Sequence, residues 1–181
     1  MNFILPLNET YEVLFSRYRE NIQRNVKRAM QLNCTLKKGF PIDEVILIAR
    51  EQFKLFTTLS ENDFARLKKL YTLLHSRQKA VTYGICSKEG QLVSSAAFFI
   101  SGSRAYYILV GNHPNGKTLG ASHALMDAFI KDHAGQNLVL DFEGSDVPNL
   151  ALFYSGFGAI EEKFAGIKLN RLPKLVKLLK R

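Results

Sequence analysis

The chain has 181 residues, 46% of them hydrophobic, with no low-complexity run, so it reads as one globular domain rather than a disordered segment. No stretch approaches the ~18 apolar residues of a membrane span, and the start, MNFILPLNETYE, lacks the basic region and long apolar core of a secretory signal. Cys34 and Cys86 offer neither a disulfide framework nor a metal knuckle, which points to a reducing cytoplasm, and the net charge of +9 implies an anionic partner.

From Tyr11 to Ala29, apolar residues fall at Tyr11, Leu14, Phe15, Tyr18, Ile22, Val26 and Ala29, which predicts one amphipathic helix over 11–30. Asn8 or Thr10 caps it and Asn33 closes it. Arg17, Arg24 and Arg28 are spaced to form one stripe along that helix, with Lys27 beside it. Pro41 opens a second helix, PIDEVILIAREQFKLF, and a third, ENDFARLKKLYTLLHSRQ, puts Phe64, Leu67, Tyr71 and Leu74 on one face.

At Ala80 the period changes to two. AVTYGICS, QLVSSAAFFIS and RAYYILVGN predict three antiparallel strands, joined by KEG and SGS turns whose glycines suit tight hairpins. HPNGKTLGASHALMDAFIKDHAG reads as a glycine loop opening a helix with Ala121, Leu125, Ala128 and Phe129 inward. NLVLDFE follows as a strand, PNLALFYSGF as a helix, and GAIEEKFAGIKLN as one or two further strands. LPKLVKLLKR predicts a short amphipathic helix at the end.

A glycine loop running into a helix N-terminus is a place for an anion, because unpaired N–H groups and the helix dipole both favour negative charge. In GKTLGAS, Gly116 and Gly120 would let backbone approach a phosphate and Lys117 would add charge, unless the glycines serve only the turn. The four histidines, His75, His113, His123 and His133, show no ligand spacing, so no metal site is expected.

The order of these elements, with KTLGAS and NLALFYSGFGA, resembles the GNAT superfamily of acyl-CoA N-acyltransferases. That resemblance implies an α/β (α+β) fold, a mixed sheet with an antiparallel meander flanked by helices. It further implies acyl-CoA, such as acetyl-CoA, held by Gly116, Lys117, Gly120, Ala121 and Ser122. Lys117 and Ser122 depart from the residues usual at their positions. NIQRNVKRAMQLNCTLKKG, GASHALMDAFI and LDFEGSDVPNLALFYSGFGA are similar, more narrowly, to the C-terminal lobe of FemAB-like proteins of Bacteroidetes. This implies one lobe of a two-lobed protein, with 1–79 a helical segment, 80–171 the sheet and cofactor groove, and 172–181 a terminal helix. Fem-type relatives transfer an amino acid from aminoacyl-tRNA, so that donor stands beside acyl-CoA.

The stretch DFEGS sits at the carboxyl end of a core strand, the edge at which open α/β sheets bind ligands. Asp141 or Glu143 there can take a proton from an attacking amine, or else pair with an arginine or cap the next helix. By the GNAT resemblance, the sheet splays between this strand and RAYYILVGN. Backbone N–H groups near Val110 and Gly111 would hold the oxyanion and Tyr154 would protonate the leaving group. The sequence therefore predicts an N-acyltransferase acting on an amine. The alternatives are a binding lobe that keeps the fold without the chemistry, or an RNA-binding module using Arg17, Arg24, Lys27 and Arg28 as anion or tRNA contacts.

Overall fold

The computed structural model of the chain describes residues 1–53, 59–144 and 148–163. In chain order the elements are β1 (Asn2–Pro6), α1 (Tyr11–Ser16), α2 (Glu20–Gln31), β2 (Thr35–Lys38), α3 (Ile42–Phe53) and α4 (Glu61–His75). Then come β3 (Ala80–Cys86), β4 (Leu92–Ser101), β5 (Arg104–Asn112), α5 (Pro114–Leu119), α6 (Ala121–His133), β6 (Val139–Gly144), α7 (Pro148–Gly156) and β7 (Ile160–Glu162). Among the described residues the strands form one seven-stranded sheet in the order β2-β3-β4-β5-β6-β1-β7. The meander β3-β4-β5 is antiparallel, as its hairpin glycines predict, and β6 lies parallel to β5 after the α5–α6 crossover.

Alternation divides the sheet between two cores. On one face Phe98, Ala105, Tyr107, Leu140 and Phe142 meet Ile22 and Val26 of α2 and Leu125 and Phe129 of α6. On the other, Ala97, Phe99 and Leu109 meet Val45 and Ala49 of α3 and Phe64 and Tyr71 of α4. Phe98 and Phe129 stack with ring centroids 3.8 Å apart, an anchor between sheet and α6.

Two strands come from the segment expected to be helical. Phe3, Leu5 and Leu7 alternate into the core, which seats β1 between β6 and β7. β2 is an edge strand whose Lys37 and Lys38 keep it polar, paired to Glu44 and Asp132. The helix predicted over 11–30 is also two helices. Arg19 is extended at φ −60°, ψ 148°, and its N–H donates to Gly156 O at 2.8 Å instead of continuing the helical ladder. Asn33 does close α2: at φ 54° it lets the Cys34 N–H reach Ala29 O and its own N–H reach Met30 O, both at 3.0 Å. The last residues of the second helix, most of the strand region after Glu162, and the LPKLVKLLKR helix lie outside the described residues. No helix among the described residues is long and apolar enough to cross a membrane.

The expected glycine loop is a short helix followed by a corner. Gly116 lies inside α5 and Gly120 caps it in the left-handed region at φ +71°. A Cβ on Gly116 would stand 2.3 Å from Val93 O, and one on Gly120 2.5 Å from Asn25 O. Both glycines are thus used for close approach to the chain's own backbone. Gly120→Ala carries a left-handed cost of about 1–3 kcal/mol plus the clash with Asn25. Gly102→Ala (φ +57°, open space around it) carries only the first. Thermal melts should show a larger drop in Tm for Gly120→Ala, with Gly102→Ala losing roughly 2–10 °C.

Candidate active site

The parallel pairing of β5 and β6 runs only from Arg104↔Val139 to Tyr106↔Asp141. Beyond it the strands part, and each carries an irregularity. On β5, Leu109 faces Ala97 while Tyr107 faces Phe98, so Ile108 is an extra residue. On β6, Asn2 and Ile4 of β1 face Gly144 and Asp141, so one more residue is spent on β6 than on β1. The β6 irregularity contains Glu143, at φ +64°. β-bulges re-aim side chains and end pairing in this way. The bulge at Ile108 also explains why Ala105 and Tyr107 lie in one core and Leu109 in the other.

The gap is a cavity of 540 Å³. Tyr107 to Val110 of β5 form one wall, and Phe142 and Glu143 of β6 with Phe153 and Tyr154 of α7 form the other. Gln52 of α3 and Ser122 of α6 reach its end and are shared with a second cavity of 630 Å³, where Glu51, His113 and Lys117 stand. Gln52 Oε1 accepts the Asn112 N–H at 2.6 Å. Backbone N–H groups alternate between the two edges of a strand. Asn112 turns its N–H to Gln52 and away from β4, so Val110, two residues earlier, turns its own toward the gap as well.

Glu143 is an exposed carboxylate on the cavity wall whose pKa is raised, by desolvation first and then by the charge of Asp141, with Arg104 opposing. Tyr154 is buried, its ring tilted against Phe142 with centroids 4.8 Å apart, and its hydroxyl is pushed up by burial and by Glu143. Asp141 does not line the cavity. Its carboxylate accepts the Glu143 N–H at 2.8 Å and an Arg104 Nη1 hydrogen bond at 2.7 Å. Arg104 then forks onto Glu162 at 2.8 and 2.9 Å, and Asn2 donates to Glu162 at 3.0 Å. The arginine-pairing alternative raised for a carboxylate in DFEGS is therefore the one Asp141 adopts.

Of the residues expected at the donor, Val110, Lys117 and Ser122 line the two cavities. Gly111 does not: a Cβ there would meet Ala49 N at 2.7 Å, so this glycine lets α3 approach the sheet. Ala121 is fully buried in the core, and Gly116 and Gly120 are closed off as described above. The arginine stripe is not continuous. Arg17 caps α1 and is paired with Glu9 at 2.7 Å, while Arg24, Lys27 and Arg28 are exposed on α2 and line neither cavity. Gln52, Phe142, Phe153 and the bulge at Ile108 went unpredicted. None has a local pattern that marks it, because each acquires its place through a long-range contact.

No family model and no curated protein matches the sequence. Solved structures do match. The crystal structure of FemX superposes with a TM-score of 0.74 at 13% identity, covering 88% of this chain and 58% of that one. A conserved protein of unknown function from Bacteroides thetaiotaomicron gives 0.65 at 10% identity, covering 88% and 56%. An aminoglycoside acetyltransferase, meta-AAC0020, from an uncultured soil metagenomic sample gives 0.53 at 16%, covering 77% and 97%. The fold is GNAT-like and resembles Fem proteins, and the chain spans a little over half the length of the first two structures.

The pairing behind the site makes an acid-stability prediction. Arg104 and Asn2 hold the Glu162 pKa down at about 2. A folded pKa below the unfolded value of roughly 4.3 means the pair stabilises fully above the unfolded value and is lost as pH falls through the folded one. Denaturant melts between pH 5 and 2 should show wild type losing stability more steeply than Glu162→Gln. Parallel curves would mean that the pair contributes nothing.

Proposed function

We propose that the chain is an acyltransferase lobe that moves an acyl or aminoacyl group to an amine in the cleft between β5 and β6. One observation carries this: the parallel pair opens after Tyr106 and Asp141 into a largely apolar cavity with a proton-hungry carboxylate, Glu143, on its wall. Such a cavity can shelter an ester or thioester while the acceptor nitrogen attacks.

In this reading the amine lone pair adds to the donor carbonyl and the new C–N bond forms. The Val110 N–H stabilises the oxygen that gains charge, since it is an edge donor with no strand beside it. Glu143 takes the proton the nitrogen releases, helped by the desolvation that raises its pKa. As the C–O or C–S bond breaks, the Tyr154 hydroxyl donates to the leaving oxygen or sulfur and is reprotonated from solvent. Gly111, whose face is taken by Ala49, is left out of the oxyanion contact.

Between the donors, the geometry favours an aminoacyl ester over acyl-CoA. The sides of Gly116 and Gly120 without a Cβ face Val93 and Asn25 rather than open space, and Lys117 shares its cavity with the opposing charge of Glu51. The Fem resemblance supports the same choice, and it brings with it a partner lobe. A second reading, a binding lobe without chemistry, is favoured by the coverage of little more than half of FemX.

The test is direct. Wild-type chain should be stabilised against heat by aminoacyl-tRNA or an acyl-CoA, and should acylate members of an amine panel. Glu143→Gln should lower turnover by about 10²–10⁴-fold with little change in donor affinity, because only proton transfer is removed. Tyr154→Phe should cost less, since water can protonate the leaving group. Unchanged turnover in Glu143→Gln sinks the base, and no transfer from either donor by the wild-type chain favours the binding lobe.

A further inference from the structure

We propose that Asp141 is a positioning residue: its carboxylate, backed by Arg104, Glu162 and Asn2, holds Glu143 in the left-handed bulge that puts it on the cavity wall. The proposal rests on the reading of Glu143 as the base, and adds how the fold keeps that base in place.

Glu143 is one of three non-glycine residues at positive φ among the described residues, with Asn33 and Gln78. Asparagine takes that region readily and glutamate does not. Something must therefore compensate at 143, and the one side chain that bonds its N–H is that of Asp141, at 2.8 Å. The hydrogen bond from i+2 back to an aspartate stabilises a local turn, here placed inside a strand. The Val139 N–H reaches Ser103 O on the β5 side, so by alternation the Glu143 N–H falls on that same edge, where pairing with β5 stops at Asp141.

The network holds Asp141 in one orientation. Asp141 is 3% exposed, and burying a lone carboxylate is costly unless it is paired and hydrogen-bonded. Its Oδ2 takes the Arg104 guanidinium at 2.7 Å, which leaves Oδ1 for Glu143. Arg104 is fixed in turn by both oxygens of Glu162, and Glu162 by Asn2. These four side chains come from β5, β6, β7 and β1, so the two strands at the far edge of the sheet clamp the residue beside the cleft. Phe3, Leu5, Leu140 and Phe142 fill the core on the opposite face, so the clamp sits on the face away from it.

The chain of bonds also gives Asp141 an electrostatic effect on its neighbour. The charged groups acting on Glu143 are Asp141, which raises its pKa, and Arg104, which lowers it, with Tyr154 facing it from α7. Removing the Asp141 charge while keeping its shape should let Glu143 release its proton at lower pH. That titration reports the Asp141 charge beside Glu143, while the backbone conformation of residue 143 reports the positioning.

Isotope-labelled full-length chain, studied by NMR without any substrate, tests the proposal apart from the chemistry. In Asp141→Ala the φ-sensitive coupling and amide shift of residue 143 should move to values of an ordinary strand. In Asp141→Asn, whose amide oxygen still accepts the N–H, they should stay close to wild type while the Glu143 carboxyl titrates at lower pH. Coupling and amide shift of residue 143 unchanged in Asp141→Ala overturn the proposal, whatever the carboxyl titration does. Glu143→Gly gives a readout even where the Asp141 variants fail to fold. Relief of the left-handed strain should raise Tm by roughly 2–10 °C, and an unchanged or lowered Tm removes the strain that the clamp is argued to hold. If these results hold and Glu143→Gln keeps full turnover, the base reading alone falls.

Discussion

Parallel pairing between β5 and β6 holds for only a few residues, from Arg104↔Val139 to Tyr106↔Asp141, and the cleft is the space left when it stops. Strands spaced about 4.8 Å apart leave no room between them for a substrate. An opening in the middle of a sheet leaves backbone groups unpaired, which a folded protein tolerates only where something else meets them. Here Gln52 meets the Asn112 N–H from α3, and Val110 lines the cavity. The two bulges, at Ile108 and around Glu143, turn the strands apart from opposite sides of the same gap.

The sheet survives that opening because its two halves are held by different means. β2 to β5 are clamped between α3–α4 and α6, with aromatic contacts such as Phe98 on Phe129 across the sheet face. β6 and β1 have the main core on one face and the Asp141–Arg104–Glu162 pairs on the other, which also tie in the more exposed β7. An ion pair this exposed on its Arg104–Glu162 side adds little stability by itself. Its value lies in registering three strands against one another next to the cavity.

Glycine usage shows how one residue type carries different meanings. Gly116, Gly120 and Gly111 look like the components of a ligand loop, yet a Cβ on each would meet backbone of its own chain at 2.3–2.7 Å. A missing Cβ permits close approach to anything, and nothing in GKTLGAS says whether that will be a phosphate or Asn25. The same ambiguity affects Arg17, which shares a spacing with Arg24 and Arg28 but sits on another helix because Arg19 bonds to Gly156.

Local periodicity by itself determined the meander, α6, β6 as a strand, and α4 with Phe64 and Tyr71 inward, while the place of β6 beside β5 came from the GNAT resemblance. These elements are legible because the residues that pattern them are neighbours in the chain and bury one face each. The strand-end position of DFEGS pointed to Glu143 and the GNAT resemblance to Tyr154, and the two line one cavity. β1 had a signal in Phe3, Leu5 and Leu7, but its partners are β6 and β7, near the other end of the described chain. Only the tertiary structure decided which of two neighbouring carboxylates faces the cavity. Strict alternation would put Asp141 and Glu143 on the same face, and a single left-handed residue, set by a bulge against a strand more than a hundred residues away, separates them.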